Sequence, residues 1–432
     1  MLSDDLLIEL EKIPAIDVHS HLNRDALAVA HPSEFMLYHM LLYELCAAGG
    51  SDRVVAPWHG PEGDPDEAMA QFLPYYPRIA STGFGWCLKT ILRDLYEFDD
   101  PITPDSYPRL RDAVDRKVRQ PDWALQVLRR GNIVRTLTSR RNVKPLVPNQ
   151  PDPGLRFTFE SLPFGTLNWH AGSMKEGLVE LETAQGQRIG SGETLRDALS
   201  QWFEKANLSE SKALVAWIGG RMDTEARSAA EIASLFNKVR TATPLSAAEQ
   251  ACFEAVFFKA IIGAIQGKTR VFQYVLGCIN FNTRGQVRLP IADGDVDLGA
   301  HVGRLMVQFP DLQLDVLNGY EPAEPVLCSV AARLPNLSLS SMWWHMFYPH
   351  VAKNAWQRRI DMVPETGLCG FFSDGYCVDW QYARLKLTQR VLANALAERI
   401  EAGWMTQTQA LTFARFILHD NPLRIFLPDE KL

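Results

Sequence analysis

His19 and His21 stand one residue apart in the stretch Ile16-Asp-Val-His-Ser-His-Leu22. Hydrophobic residues lead into the pair, as in a strand, and residues i and i+2 of a strand point to the same face. Both imidazoles can then aim at one point. Two imidazoles hold a divalent metal when a carboxylate and a water complete the set. The same pair on a polar strand end would do no chemistry. What decides is whether the rest of the chain delivers a carboxylate to the same place.

The elements that must position the pair follow in order. A short helix over 5–12 leads into a first strand, 15–22. The segment 23–130 shows no clear strand. Within it the spacing predicts a buried helix over 34–46, a loop rich in Gly, Pro and Asp over 58–66, and helices over 84–94 and 107–129. So long a segment suits a helical insertion or lid. Strand-like runs then recur at 133–138, 155–160, 213–218, 271–279, 312–317, 337–342 and 368–372. Helices predicted over 194–206, 224–240, 246–265, 299–309 and 322–334 fill most gaps. Capping boxes at Ser246/Glu249 and Thr406/Gln409 open two helices. A helix over 382–402 precedes the second. Strand alternating with helix argues for a parallel sheet, and eight such units argue for an α/β fold of the (β/α)8 TIM-barrel class. No G-x-G-x-x-G follows the first strand and no phosphate-cradling G-x-x-x-x-G-K-[ST] is present, which disfavours nucleotide folds. The reading is one metal-dependent barrel domain over 1–432, with 23–130 as its helical insertion.

Composition narrows the class. The 432 residues are 47% hydrophobic and 22% charged, ordinary for a globular chain, and the net charge of −7 gives no reason to expect a nucleic-acid partner. Residues 1–15 carry Asp4, Asp5, Glu9 and Glu11 rather than a basic stretch followed by an apolar run, and no run reaches the length of a membrane span. Seven scattered cysteines without a C-x-x-C pair suit reduced thiols in a cytoplasmic protein.

Barrel enzymes work at the C-terminal ends of their strands. There the first strand offers His19 and His21. The fifth offers Asn280, Asn282 and Arg284, with Arg288 further on, and the sixth Asn318 and Tyr320. The seventh offers Trp343, Trp344 and His345, and the eighth Ser373, Asp374 and Tyr376. Strands one and eight become neighbours when a barrel closes, so Asp374 is the carboxylate the histidine pair requires.

This constellation resembles the amidohydrolase superfamily, and within it the chain is most similar to the uronate (glucuronate) isomerases. The matching stretches are Asp17-Val-His-Ser-His-Leu22, Tyr38-His39, Val316-Leu-Asn318, Trp343-Trp344, Ser373-Asp374 and the run from Ala402-Gly-Trp404 to Asn421-Pro-Leu-Arg424. The resemblance covers nearly the whole chain in order. It implies an intramolecular oxidoreductase that interconverts a hexuronate aldose and its ketose, of the D-glucuronate to D-fructuronate type. One divalent ion, zinc first and manganese as the alternative, would be held by His19, His21 and Asp374. Asp374, His39 and Tyr376 are the implied catalytic group. Trp343, Trp344, Asn318, Arg284 and Arg288 are the implied substrate contacts, an arginine fork suiting a carboxylate. The chain departs from the pattern at Met40, where the family has a tyrosine, and at Tyr376, where it has an arginine. A histidine that some members carry in strand five is replaced by Val275 or Leu276, and arginines by Asn280 and Tyr320. Tyr38, Tyr43 or Tyr376 could supply the missing phenol.

The alternatives are a metal hydrolase or lactonase acting on a sugar-acid derivative, an isomerase turned to an altered sugar, and a non-enzymatic binding protein. The expected partner is a small sugar acid. Neither nucleic acid nor membrane is expected, and assembly into a homo-oligomer is compatible with the chain.

Overall fold

The computed structural model describes the chain except residues 52–54, 57–59, 62, 140–152, 159–170, 206–210, 219–226, 270, 277, 283–287, 293–297 and 344–347. Eleven described strands are β1 (Ala15–Ser20), β2 (Val55–Ala56), β3 (Gly60–Pro61), β4 (Ile133–Ser139), β5 (Leu155–Thr158), β6 (Ala213–Ile218), β7 (Val271–Leu276), β8 (Cys278–Asn282), β9 (Arg288–Ala292), β10 (Gln313–Asn318) and β11 (Leu337–Leu339).

The architecture is mixed α/β. One parallel sheet runs β1-β4-β5 and a second runs β11-β10-β7-β6. Helices cover the strands from outside, and β1, β7 and β11 are buried along their whole length. The pairs β6–β7 and β7–β10 keep unbroken six-residue registers. The β1–β4 pair slips between Asp17 and Ser20, beside His19.

The expected eight-strand closed barrel is therefore corrected in part. Among the described residues the parallel strands form two sheets, not one closed ladder. The run expected as strand eight makes a single parallel bridge, Leu339 to Leu368. It still ties the sheets together. The amide of Cys369 donates to Leu339 O at 3.1 Å, the amide of Val18 donates to Phe371 O at 3.2 Å, and the amides of Ser373 and Asp374 donate to His19 O at 3.2 and 3.1 Å. On the other side Lys212 N donates to Phe157 O at 2.7 Å, linking the edge of β5 to the start of β6. The predicted fifth strand is also divided. It ends at Leu276, and β8 pairs antiparallel with β9, so Asn280 and Asn282 lie on a hairpin.

Two predicted helices are broken, each for a local reason. The helix expected over 34–46 is Ser33–Met36 followed by His39–Ala47, with Tyr38 extended at φ −59°, ψ 137° between them. A break orphans carbonyls. Here side chains satisfy two of them: Trp380 Nε1 donates to Phe35 O and the Tyr76 hydroxyl to Met36 O, both at 2.8 Å. The helix expected over 107–129 is Tyr107–Val118 and Trp123–Arg130. Pro121 lies in the gap and lacks the N–H a continuing helix needs. Both predicted capping boxes form, and Ser228/Glu231 adds a third. No described helix is long and apolar enough to cross a membrane.

Candidate metal centre

His19 is buried on β1, and His21 follows just beyond the strand's end with 16% of its side chain exposed. Their rings sit edge to face, 5.1 Å between centroids. Asp374 arrives from the other end of the chain. Its Oδ1 lies 3.0 Å from His21 Nε2 and 3.6 Å from His19 Nε2. One ligand atom from each of the three falls within 4.8 Å of the others, a group of two imidazoles and one carboxylate. Buried Asp374 Oδ1 faces both Nε2 atoms yet accepts no hydrogen bond among the described residues. Two imidazole nitrogens and a carboxylate oxygen converging on one point fit a divalent cation.

Backbone strain holds Asp374 in place. Its φ is +53°, in the left-handed region where few residues other than glycine sit. Asp17 braces the turn: Oδ1 accepts the amides of Ser373 at 2.9 Å and His19 at 3.2 Å, while Oδ2 accepts Gln381 Nε2 at 2.8 Å. Burial pushes the Asp17 carboxyl up to about 6, and its bonds from Ser373, Gln381 and the His19 amide pull against that rise. Burial also raises Asp374, but the two histidines beside it outweigh burial and hold it well below the usual carboxylate range. Asp374 is an anion at neutral pH.

The proton on His19 can be placed from its surroundings. Gln273 Nε2 donates to Val18 O at 3.2 Å and to Asp315 Oδ2 at 3.0 Å. Both partners are acceptors, so the amide orientation is fixed and Oε1 is the atom 2.9 Å from His19 Nδ1. Nδ1 therefore carries hydrogen, and Nε2 is the nitrogen that faces Asp374. Asp315 is anchored in turn by the hydroxyls of Ser338 and Ser340. Such support fixes ring orientation and raises ligand basicity at metal sites.

Aromatic groups wall the centre. Trp343 Nε1 donates to Asp374 Oδ2 at 3.2 Å. Tyr376 stacks on His21 at 4.8 Å and 19°. The break before His39 turns Tyr38 inward, where its hydroxyl donates to the Asp374 carbonyl at 2.6 Å and its ring stacks on Trp380 at 4.5 Å. Burial and the nearby Asp374 charge raise the Tyr38 phenol well above its usual range. Arg384, on the helix Val378–Glu401, is buried against the Phe372 ring. Burial lowers it to about 10, against the pull of Tyr38, Asp374, Cys87 and Asp17.

Of the residues singled out in the sequence, His19, His21, Asp374, Trp343 and Tyr376 thus come together. Asn318 is buried at the end of β10, where its side-chain nitrogen donates to Glu324 at 2.7 Å and its backbone carbonyl accepts the Trp343 backbone amide at 3.0 Å. It buttresses the tryptophan. His39 opens its helix and Arg288 opens β9, and the side chains of both lie outside the described residues, as do Arg284 and Trp344 entirely. Gln273, Asp315, Asp17 and Arg384 escaped the sequence reading. Their signal was available: each is a polar residue inside an otherwise apolar strand or helix face.

No family model matches the sequence, and no curated protein matches it. Solved structures do. A uronate isomerase from Thermotoga maritima superposes with TM-score 0.81 at 14% identity, over 99% of this chain and 97% of that one. A glucuronate isomerase from Caulobacter crescentus gives 0.80 at 16%, over 100% and 95%. A protein assigned as a metal-dependent hydrolase from Lactobacillus casei gives 0.57 at 12%, over 98% of each chain. At these identities the likeness is one of fold, and it runs essentially from end to end.

Proposed function

We propose that the chain is a metal-dependent aldose–ketose isomerase acting on a hexuronate or a closely related sugar acid, and that its two parallel sheets are the halves of a (β/α)8 barrel with the helices of 23–130 over one end as an insertion. The observation that carries this reading is the convergence of His19, His21 and Asp374 within 4.8 Å. The full-length fold likeness to two isomerases of uronates supports it.

A divalent ion held by these three side chains would supply Lewis acidity to the carbonyl and adjacent hydroxyl of the open-chain sugar. The chain's own residues do the rest. Asp374, anionic and fixed through Oδ2 by the Trp343 indole, takes the proton from C2 and returns it to C1, while the C2 hydroxyl proton passes to the C1 oxygen. Trp343 and Tyr376 flank the reacting carbons and keep water out. The Tyr38 hydroxyl holds the Asp374 backbone and so its aim. His39, Trp344, Arg284 and Arg288 remain the proposed further contacts, an arginine for the uronate carboxylate.

A metal hydrolase or lactonase acting on a sugar-acid derivative is the second reading. The likeness to the Lactobacillus casei structure favours it, as does Tyr376 at the position where an arginine was expected. Incubation with glucuronate and galacturonate in deuterated water separates the two. Deuterium appearing at C1 of the ketose, and at C2 of recovered aldose, is the isomerase result. No exchange across a uronate panel, with turnover of lactones, would replace it by the hydrolase. Purified protein should hold about one divalent ion per chain and lose it in His19→Ala/His21→Ala.

A further inference from the structure

On the opposite face of β7 from Gln273 lies a second polar cavity, of about 180 Å³, between the helices Ala247–Ile265 and Leu298–Gln308. Its walls are Phe258, Lys259, His301, Arg304, Leu305 and Gln308, with Ala255 at one side. His301 is only 3% exposed, yet neither of its ring nitrogens has a hydrogen-bond partner among the described residues. Phe258 and Tyr274 hold the ring in place, at 6.1 and 6.4 Å between centroids. Burying an imidazole with both nitrogens unmet is unfavourable, and such a group in a native fold calls for a ligand or a water.

The charge of the cavity says which ligand. Lys259 and Arg304 both line it, and neither forms an ion pair with a described residue. No acid lines it. Glu254, on the same helix as Lys259, is buried and accepts from Gln250 at 2.9 Å. A chain of net charge −7 has here placed two cations around a buried, unmet imidazole. Two charged donors and an imidazole N–H suit an oxyanion with several acceptor oxygens.

We propose that this cavity is a phosphate-binding site, taking inorganic phosphate or the phosphate group of a small ester on Lys259, Arg304 and His301. The site is separate from the metal centre and stands whether or not the isomerase reading does.

Calorimetric titration with inorganic phosphate and with glucose 6-phosphate tests it, against chloride at matched ionic strength. Wild type should bind at least one of the two saturably, about one per chain, and the tighter source identifies the ligand. The same binding should persist in His19→Ala/His21→Ala, which excludes phosphate taken up at the metal centre. Lys259→Gln/Arg304→Gln, whose side chains are not in the core, should weaken it at least tenfold, and phosphate should shift the His301 ring resonances. Absence of saturable binding would overturn the proposal. So would chloride matching phosphate, affinity unchanged in the double glutamine variant, or binding lost with the two metal-site histidines.

Discussion

Gln273 Oε1 sits 2.9 Å from His19 Nδ1, and the amide cannot be turned around, because its nitrogen is held by Val18 O and Asp315 Oδ2. One side chain of β7 thereby decides which nitrogen of a β1 histidine faces the candidate metal. Gln273→Leu should leave the fold intact and weaken divalent-metal affinity by roughly 10- to 100-fold, the range for lost support of a ligand. Competition with a chromophoric chelator reads this directly. Unchanged affinity would mean that His19 needs no such orientation.

The Trp343 indole fixes Asp374 Oδ2 at 3.2 Å. Trp343→Phe keeps the aromatic wall and removes only the donor. A hydrogen bond to a charged acceptor contributes about 1.5–3 kcal/mol, so kcat/KM should fall roughly 10- to 100-fold with metal content unchanged. Loss of metal along with activity would show that the indole supports the ligand set instead.

Tyr38→Phe deletes the hydroxyl that binds the Asp374 carbonyl while keeping the stack on Trp380. The expected loss of stability is about 1 kcal/mol, visible as a lower urea midpoint at constant slope. The backbone at Asp374 is left-handed and relies on its neighbours. Activity should therefore drop further than global stability explains.

A buried carboxyl away from the centre gives a pH signature. Asp379 accepts the Tyr96 hydroxyl, and burial raises it to about 6 against an unfolded value of 3.8. Between these two values the folded state binds more protons than the unfolded one. This group therefore makes stability fall as pH climbs from about 4 to about 6, and above that the loss is complete. The shift is worth on the order of 3 kcal/mol. Asp379→Asn should flatten that decline relative to wild type in urea unfolding followed across pH. Parallel curves for the two proteins would show that Asp379 ionises normally.

The metal triad was legible because its signals are local: H-x-H on a strand, and an acid at the end of the last apolar run. The parallel α/β pattern was legible from alternating strand and helix. The support around the triad was not. Gln273 and Asp315 look like blemishes in strands until β7 and β10 pair in register and set them face to face. The end of a strand marked Asn318, but not what its side chain meets in the fold. Only the fold shows Glu324, six residues on, already paired with Arg359 and receiving the Asn318 amide. The break at Tyr38 could not be read from an all-apolar run, since what stabilises it is two side chains donated from Tyr76 and Trp380.

Asp17 and Ser373 meet across 356 positions of sequence. During synthesis the first two ligands emerge early and the third emerges near the end. A growing chain can therefore offer a stray cation only a bidentate, readily exchanged grip until the last apolar run docks beside β1. An ion held by all three would report that these long-range contacts have been completed, and would clasp β1 to the run before Asp374.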